Sequence, residues 1–356
     1  MPDQKKNSGG RYDRLKLLGW WDQAKLKAGR VLVVGAGAIG NEVVKNLALS
    51  GVGTLVIADM DRIELSNLSR TVLFRDRDEG KNKAQVAARA ARALNPDVRA
   101  LAFDADIRTD LGLGVFRRMH VVVGAVDNID ARTFMNGACW ALGVPFVDGG
   151  TLSLLGQVRV IRPPDGPCYE CTLSEEDYRR MQERFHCNLL TRSDVERGRA
   201  PTTSIASSVV GAIEAQKTIE LLHGLPVPVG KTIVYNGSMS GGEHEMYMSE
   251  FEPRNNPWHA HNAMERWDPI IPVRASAATT TMGRLLHRAR RDLGPEAVID
   301  LRQNFVPRVR CEACGTSWKV MKHLLHVSAR DAVCRQCRGA ADPEIGGGGG
   351  ISARSA

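Results

Sequence analysis

Along the first half of the chain, short apolar runs alternate with stretches whose apolar residues recur every three or four positions. Val31-Leu-Val-Val34 and Val121-Val-Val-Gly-Ala-Val126 are β-branched runs too short for helices, and they read as buried strands. Between them, Ile39, Val43, Leu47 and Ala48 share one face of a helix over 39–49. A strand over 54–58 ends at Asp59, and an Ala/Arg-rich helix over 81–94 stops at Asn95-Pro96. A strand near 98–103, a helical stretch near 110–118, a helix over 131–142 and a strand over 144–148 continue the alternation. This pattern predicts an α/β fold with a doubly wound, mostly parallel sheet.

After Gly149-Gly150 the pattern changes. It predicts a strand over 157–161, a loop holding Cys168 and Cys171, a polar crossover loop over about 172–200, and a small-residue helix over 204–222. Strands near 232–236 and 245–251 close the large domain, which spans 11–265. A small α+β domain with a zinc ribbon is expected over 270–340, with a helix near 281–293, a strand at 297–301 and two cysteine knuckles. Residues 1–10 read as a disordered start, and 341–356, with the glycine run 346–350, as a flexible tail.

Composition narrows the class. With 356 residues, 43% of them hydrophobic, the chain can bury a large core, and no apolar stretch reaches the roughly 18 residues of a membrane span. The N-terminus lacks the apolar region of a secretory signal, so a cytoplasmic protein without membrane attachment is expected. Much of the net charge of +8 gathers in the C-terminal third, at Arg284, Arg288, Arg290, Arg291, Arg308, Arg310, Lys319 and Lys322. Such a face suits nucleic acid, an acidic protein or plain solvation; aromatic residues for base stacking are sparse, so nucleic acid is not the expected partner. Six of the eight cysteines fall in three Cys-x-x-Cys pairs, which points to metal in a reducing compartment rather than to disulfides.

The chemistry concentrates in one block. Val31-Leu-Val-Val-Gly35-Ala-Gly37-Ala-Ile-Gly40 reads as strand, tight glycine turn and helix N-terminus, a place for phosphate. Asp59, some 20 residues on, suits a ribose in a dehydrogenase as well as in an ATP site. The residues that follow separate the two. Asp61, Asn67, Arg70 and Gly80-Lys-Asn-Lys83 bring amide, guanidinium and ammonium groups to the nucleotide, as a reacting triphosphate requires and a nicotinamide does not.

Gly-x-Gly-x-x-Gly, Asp59-x-Asp61, Ser-Asn67-Leu-x-Arg70, Gly80-x-x-Lys83 and Asp127-Asn128, in that order across residues 11–262, resemble the ubiquitin-activating, ThiF-MoeB superfamily, which includes the adenylyltransferases of small sulfur carriers. The resemblance implies a Rossmann-like adenylation domain that uses ATP to adenylate the C-terminal glycine carboxylate of a small β-grasp carrier. It gives Asp59 the ribose, Asn67 a phosphate and Asp127 the Mg2+ that accompanies the phosphates, with Asn128 a further cofactor-binding residue. Arg70, Lys83 and Arg14 become the cations that stabilise the developing charge. Lys81 competes with Lys83, but only Lys83 has the family spacing. Asp127 has a second reading as a helix N-cap, and Arg14 a second as a surface charge. In homodimers of the family the Arg11-Tyr-Asp-Arg14 segment reaches the partner's site, so a homodimer is expected here.

Cys187 lies outside every Cys-x-x-Cys pair, among cations that favour its thiolate, and matches the slot of the thioester cysteine in activating enzymes of ubiquitin-like modifiers; its second reading is a free structural cysteine in the crossover loop. Two further readings stay open, a sulfur-carrier adenylyltransferase without an obligatory thioester and a non-catalytic binding protein on the same fold. A downstream conjugating enzyme is a further implied partner. Cys311, Cys314, Cys334 and Cys337 have zinc-ribbon spacing, with 19 residues between the knuckles, and predict a structural Zn2+. Cys168 and Cys171 are half of a second site. Where the family supplies another Cys-x-x-Cys this chain has His259 and His261, which would complete a Cys2His2 set; otherwise the pair is metal-free.

Overall fold

The computed structural model describes residues 10–179, 202–237, 246–267, 271, 273, 275–276, 278–299, 305–328 and 330–346. Cys187 and most of the expected crossover loop lie outside them. The chain divides into two compact units, residues 1–268 and 269–356. Among the described residues, no helix is long and apolar enough to cross a membrane.

The first unit is built on an eight-stranded sheet in the order β3-β2-β1-β4-β5-β6-β7-β8. β1 (Arg30–Val34), β2 (Thr54–Ala58), β3 (Arg99–Phe103), β4 (Val121–Gly124) and the start of β5 (Phe146–Leu152) run parallel. β6 (Leu155–Ile161), β7 (Lys231–Asn236) and β8 (Met246–Glu250) add antiparallel strands, and β9 (Asn255–Asn256) with β10 (His259–Ala260) forms a separate short ribbon. The central strands are apolar throughout because both faces are covered. Val31 and Val33 point into a core with α2 (Ala38–Leu49), α3 (Lys83–Leu94) and α6 (Ser204–His223). Leu32 and Val34 point into a second core with α4 (Leu113–Phe116) and α5 (Ile129–Leu142). A short helix α1 (Gln23–Ala28) leads into β1. The period-two alternation of a strand thus separates the two layers.

Strand order reverses between β1 and β4, since β2 and β3 lie on one side of β1 and β5 to β8 beyond β4. Val34 is paired with both Ala58 and Gly124, so Gly35, Asp59 and Ala125 emerge level at the carboxyl ends of three adjacent strands. That is where open α/β sheets open a crevice for ligands.

Several boundaries differ from expectation. The helix near 110–118 is a single turn, Leu113–Phe116, capped by Gly112. The strand expected over 144–148 starts at Phe146 and continues through the glycine pair to Leu152, because Gly149 and Gly150 pair with Val158 and Gln157 of β6. In the second unit, residues 297 and 298 are not in a strand. Its sheet is instead β12-β11-β13, with β11 (Phe305–Cys311), β12 (Ser317–His323) and β13 (Ala341–Gly346), the last within the stretch expected as a flexible tail; the unit also contains α7 (Met282–Leu293).

Candidate nucleotide site and metal centres

The glycine turn is shaped by close approach. Gly35 has φ +90°, and a Cβ there would stand 2.4 Å from the Ala125 carbonyl oxygen; at Gly40 a Cβ would meet the Gly35 carbonyl at 2.0 Å. A Cβ on Gly37 would meet nothing within 4 Å. The turn is therefore packed below and open above, where the N-terminal N–H groups of α2 point, and it fits a phosphate.

Asp59 ties the turn to the next strand. One carboxylate oxygen accepts from the Ala36 N–H at 2.6 Å and the other from the Asp61 N–H at 2.8 Å. Burial pushes its pKa above the usual carboxylate range, against the pull of the Lys83 charge and the two N–H groups. Asp61, in turn, holds the Lys83 ammonium at 2.8 Å, and the Lys83 side chain is only 14% exposed. Lys81 points elsewhere, to Asp78 at 3.0 Å. The two lysines thus have different acidic partners.

Two amides that the motif reading passed over hold this assembly together. Asn82 is fully buried; its NH2 donates to the Asp59 and Asp61 carbonyls while its oxygen caps α3 through the Gln85 N–H. Asn41, also fully buried, donates to the Ala36 and Gly37 carbonyls and accepts from the Leu73 N–H at 2.8 Å. It fastens the glycine turn to the segment that carries Asn67 and Arg70. For Asn41 the available signal was an amide in the buried face of an otherwise apolar helix, and for Asn82 an asparagine at the N-cap position.

Asn67 closes a capping box by accepting from the Glu64 N–H at 3.1 Å. The Arg70 guanidinium donates to the Ser66 carbonyl at 2.9 Å, which fixes its stem. Asp127 is exposed after β4 and makes no hydrogen bond among the described residues. Its alternative reading as an N-cap does not hold, since Asn128 caps α5 through the Ala131 N–H at 2.8 Å. Arg14 is exposed, and its segment is anchored far from these groups. Arg11 donates to the Leu94 carbonyl, and the Tyr12 hydroxyl meets Asp97 and Asn95. These lie at the far end of α3 from Lys83.

Beside α5, Cys168, Cys171, His259 and His261 converge, with one donor atom from each within 4.8 Å of all the others. Sulfur to sulfur is 3.7 Å, Cys168 to His259 Nε2 3.3 Å and Cys171 to His261 Nδ1 3.3 Å. Zn–S bonds of about 2.3 Å and Zn–N bonds of about 2.0 Å at tetrahedral angles set such spacings at about 3.3–3.8 Å. The donor set fits Zn2+. Cys171 is pushed down to about 3, first by its hydrogen bond from Cys168 against burial, then by His259 and the Arg254 N–H. The far ring nitrogen of His259 faces Glu170 at 3.7 Å, the carboxylate partner that orients a metal-bound imidazole. In the second unit Cys311, Cys314, Cys334 and Cys337 form a four-thiol cluster, with sulfur separations of 3.4–3.6 Å. Four thiolates leave no open position, so the role that fits is structural.

Comparison with known proteins agrees with the layout. The ThiF family model matches residues 11–256. The chain belongs to the ThiF family. The sulfur carrier protein ThiS adenylyltransferase of Escherichia coli K12 is 31% identical over 219 residues, which are 61% of this chain and 82% of that relative. SUMO-activating enzyme subunit 2 of Dictyostelium discoideum is 40% identical over 148 residues, 41% of this chain but only 22% of that relative. A crystal structure of E. coli MccB with ATP shares the fold, with a TM-score of 0.57 at 23% identity over 70% of this chain and 73% of that one. The ThiF-family relatives are adenylyltransferases and activating enzymes, and this chain is an enzyme of the same adenylating type.

Proposed function

We propose that this ThiF-family protein uses ATP to adenylate the C-terminal glycine carboxylate of a small ubiquitin-like, β-grasp carrier. The observation that carries the reading is the Asp59–Asp61–Lys83 chain beneath the open glycine turn. A cation held in this chain supports a site for a reacting triphosphate, where a hydride-transfer site has no use for one. The ThiS adenylyltransferase and SUMO-activating names of its relatives support the carrier as second substrate.

In this reading the carrier carboxylate attacks the α-phosphorus of ATP and the α–β phosphoanhydride bond breaks, releasing pyrophosphate. Asp59 accepts the ribose hydroxyls, and the N–H groups of the glycine turn and α2 hold phosphate. Arg70 and Lys83 offset the repulsion between carboxylate and phosphates and stabilise the charge that develops on the leaving group. Asp127, exposed and without a hydrogen bond among the described residues, has the donor type to hold Mg2+ with the substrate phosphates. Arg14 would act in the site of a second copy. A thiolate at Cys187 would then attack the acyl carbon, expel AMP and hold the carrier as a thioester.

The second reading is a sulfur-carrier adenylyltransferase that stops at the acyl adenylate, favoured by a ThiS adenylyltransferase relative covered over 82% of its length. Incubation with source-cell lysate, ATP and Mg2+, followed by non-reducing mass spectrometry, separates the two. An ATP-dependent, thiol-sensitive adduct on Cys187 is expected, and Cys187→Ala should lose it while keeping carrier-dependent ATP–pyrophosphate exchange. Exchange without an adduct would establish the sulfur-carrier reading, and no exchange with any carrier would overturn adenylation itself.

A further inference from the structure

Helix α5 carries Asn128, Arg132, Asn136 and Trp140 at intervals of four, a slowly turning stripe along one side. Each reaches a different part of the first unit. Asn128 caps the helix beside Asp127. Arg132 donates to the Val126 carbonyl at 2.7 Å and the Gly149 carbonyl at 2.8 Å, and pairs with the buried Asp148 at 3.2 Å. Val126 directly precedes Asp127, and its neighbour Ala125 presses against Gly35. The stripe therefore begins under the nucleotide turn.

Two turns on, the same stripe meets the metal ligands. Asn136, fully buried, accepts from the Tyr169 N–H at 2.9 Å and donates to Glu170 at 3.1 Å, within the Cys168–Cys171 turn. Glu170 is the carboxylate facing His259. The Trp140 ring lies edge-on to His261 at 4.9 Å, and its N–H donates to the Met264 carbonyl. From Asn128 to Asn136 is about 12 Å along a helix axis, a stiff distance. Every buried polar group on the stripe is satisfied by one of these contacts, and breaking one would strand an amide in the core.

We propose that Asn136 is a positioning residue for adenylation: by fastening α5 to the Cys2His2 turn, it sets where Asp127 and Asn128 meet the nucleotide. The metal centre thus acts on a site it never touches. The inference rests on the nucleotide reading above. Displacements of about 1 Å are enough to cost such a site much of its function.

Calorimetric titration of the zinc-loaded full chain with ATP tests this without any carrier. Asn136→Asp sets a carboxylate against Glu170, and ATP binding about tenfold weaker is expected with zinc content unchanged. Adding Glu170→Gln to that variant restores a donor–acceptor pair and should return the affinity to within about threefold of the parent. Unchanged affinity in Asn136→Asp, or no recovery in the double variant, overturns the proposal. Should Asn136→Asp fail to fold, Asn136→Ser is read the same way, and full ATP affinity with zinc bound overturns it. A parent chain that binds no ATP would instead overturn the nucleotide reading, and the inference with it.

Discussion

Glu214 lies on α6 with no exposure, and neither of its carboxylate oxygens has a hydrogen-bond partner among the described residues. Burial, and then the charge of Asp148, push its pKa well above the usual range, against the Arg132 guanidinium. Asp148 itself is also raised by burial, but Arg132 and Arg159 both reach it, so it is the better candidate to stay ionised. Glu214 therefore holds its proton to higher pH than an exposed glutamate does. In the unfolded chain a glutamate ionises near pH 4.3. Below that value both states hold the proton and the fold loses nothing. As pH rises towards the folded value the unfolded state alone releases it, so stability falls. Glu214→Gln removes this linkage. Urea unfolding of parent and variant between about pH 5 and 8 should show the parent falling more steeply, by up to about 1.4 kcal/mol per pH unit for one proton. Parallel curves would mean that Glu214 is ionised in the fold.

At the scale of elements, the sequence made the β1–turn–α2 unit and the strand ends that present Asp59 and Asp127 legible, because continuous apolar strands and glycine punctuation have few other meanings. Single polar residues inside those elements were less legible. Asn41, Asn82, Arg132 and Asn136 act by joining segments distant in the chain, and spacing does not report such partners. The second unit's sheet was hidden for another reason. In β11 the buried Val306 and Val309 alternate with exposed Arg308 and Arg310, and so many basic residues read as a charged surface. The sheet pairs β11 with β12 and β13, while Val306, Val309, Leu324 and Ala341 make only a small core with Cys311 and Cys334. A core of that size needs a metal staple. Cys334→Ser should remove one zinc per chain and increase hydrogen exchange over 305–346, with ATP affinity retained because the nucleotide groups belong to the first unit. Unchanged exchange in that span would show that the sheet stands without the ion.

For the whole molecule, the placement of Arg14 decides how many copies complete one site. The N-terminal segment is held at the end of the sheet opposite the glycine turn. Tyr12 meets Asn95 and Asp97 past the end of α3, the Asp22 N–H donates to His223 at the end of α6, and Trp20 and Trp21 pack on the same imidazole. From Lys83 to Leu94 is twelve residues, about 18 Å of helix, longer than an arginine side chain extends. Arg14 is therefore expected to serve a second copy rather than the phosphate position of its own chain. A homodimer that brings the segment of one copy to the turn of the other would meet that expectation. Mixing then gives a sharp expectation. Arg14→Ala and Lys83→Ala are each expected to lose most carrier-dependent pyrophosphate exchange, by about tenfold or more, since each removes a cation from every site. After subunits re-assort, half of the dimers contain one chain of each kind, and in those one site has both cations. Recovery to roughly a quarter of parental exchange is expected for a two-fold dimer with shared sites. If Arg14 acted within its own chain, no site in any mixed dimer would hold both cations, and the mixture would stay as inactive as its parts.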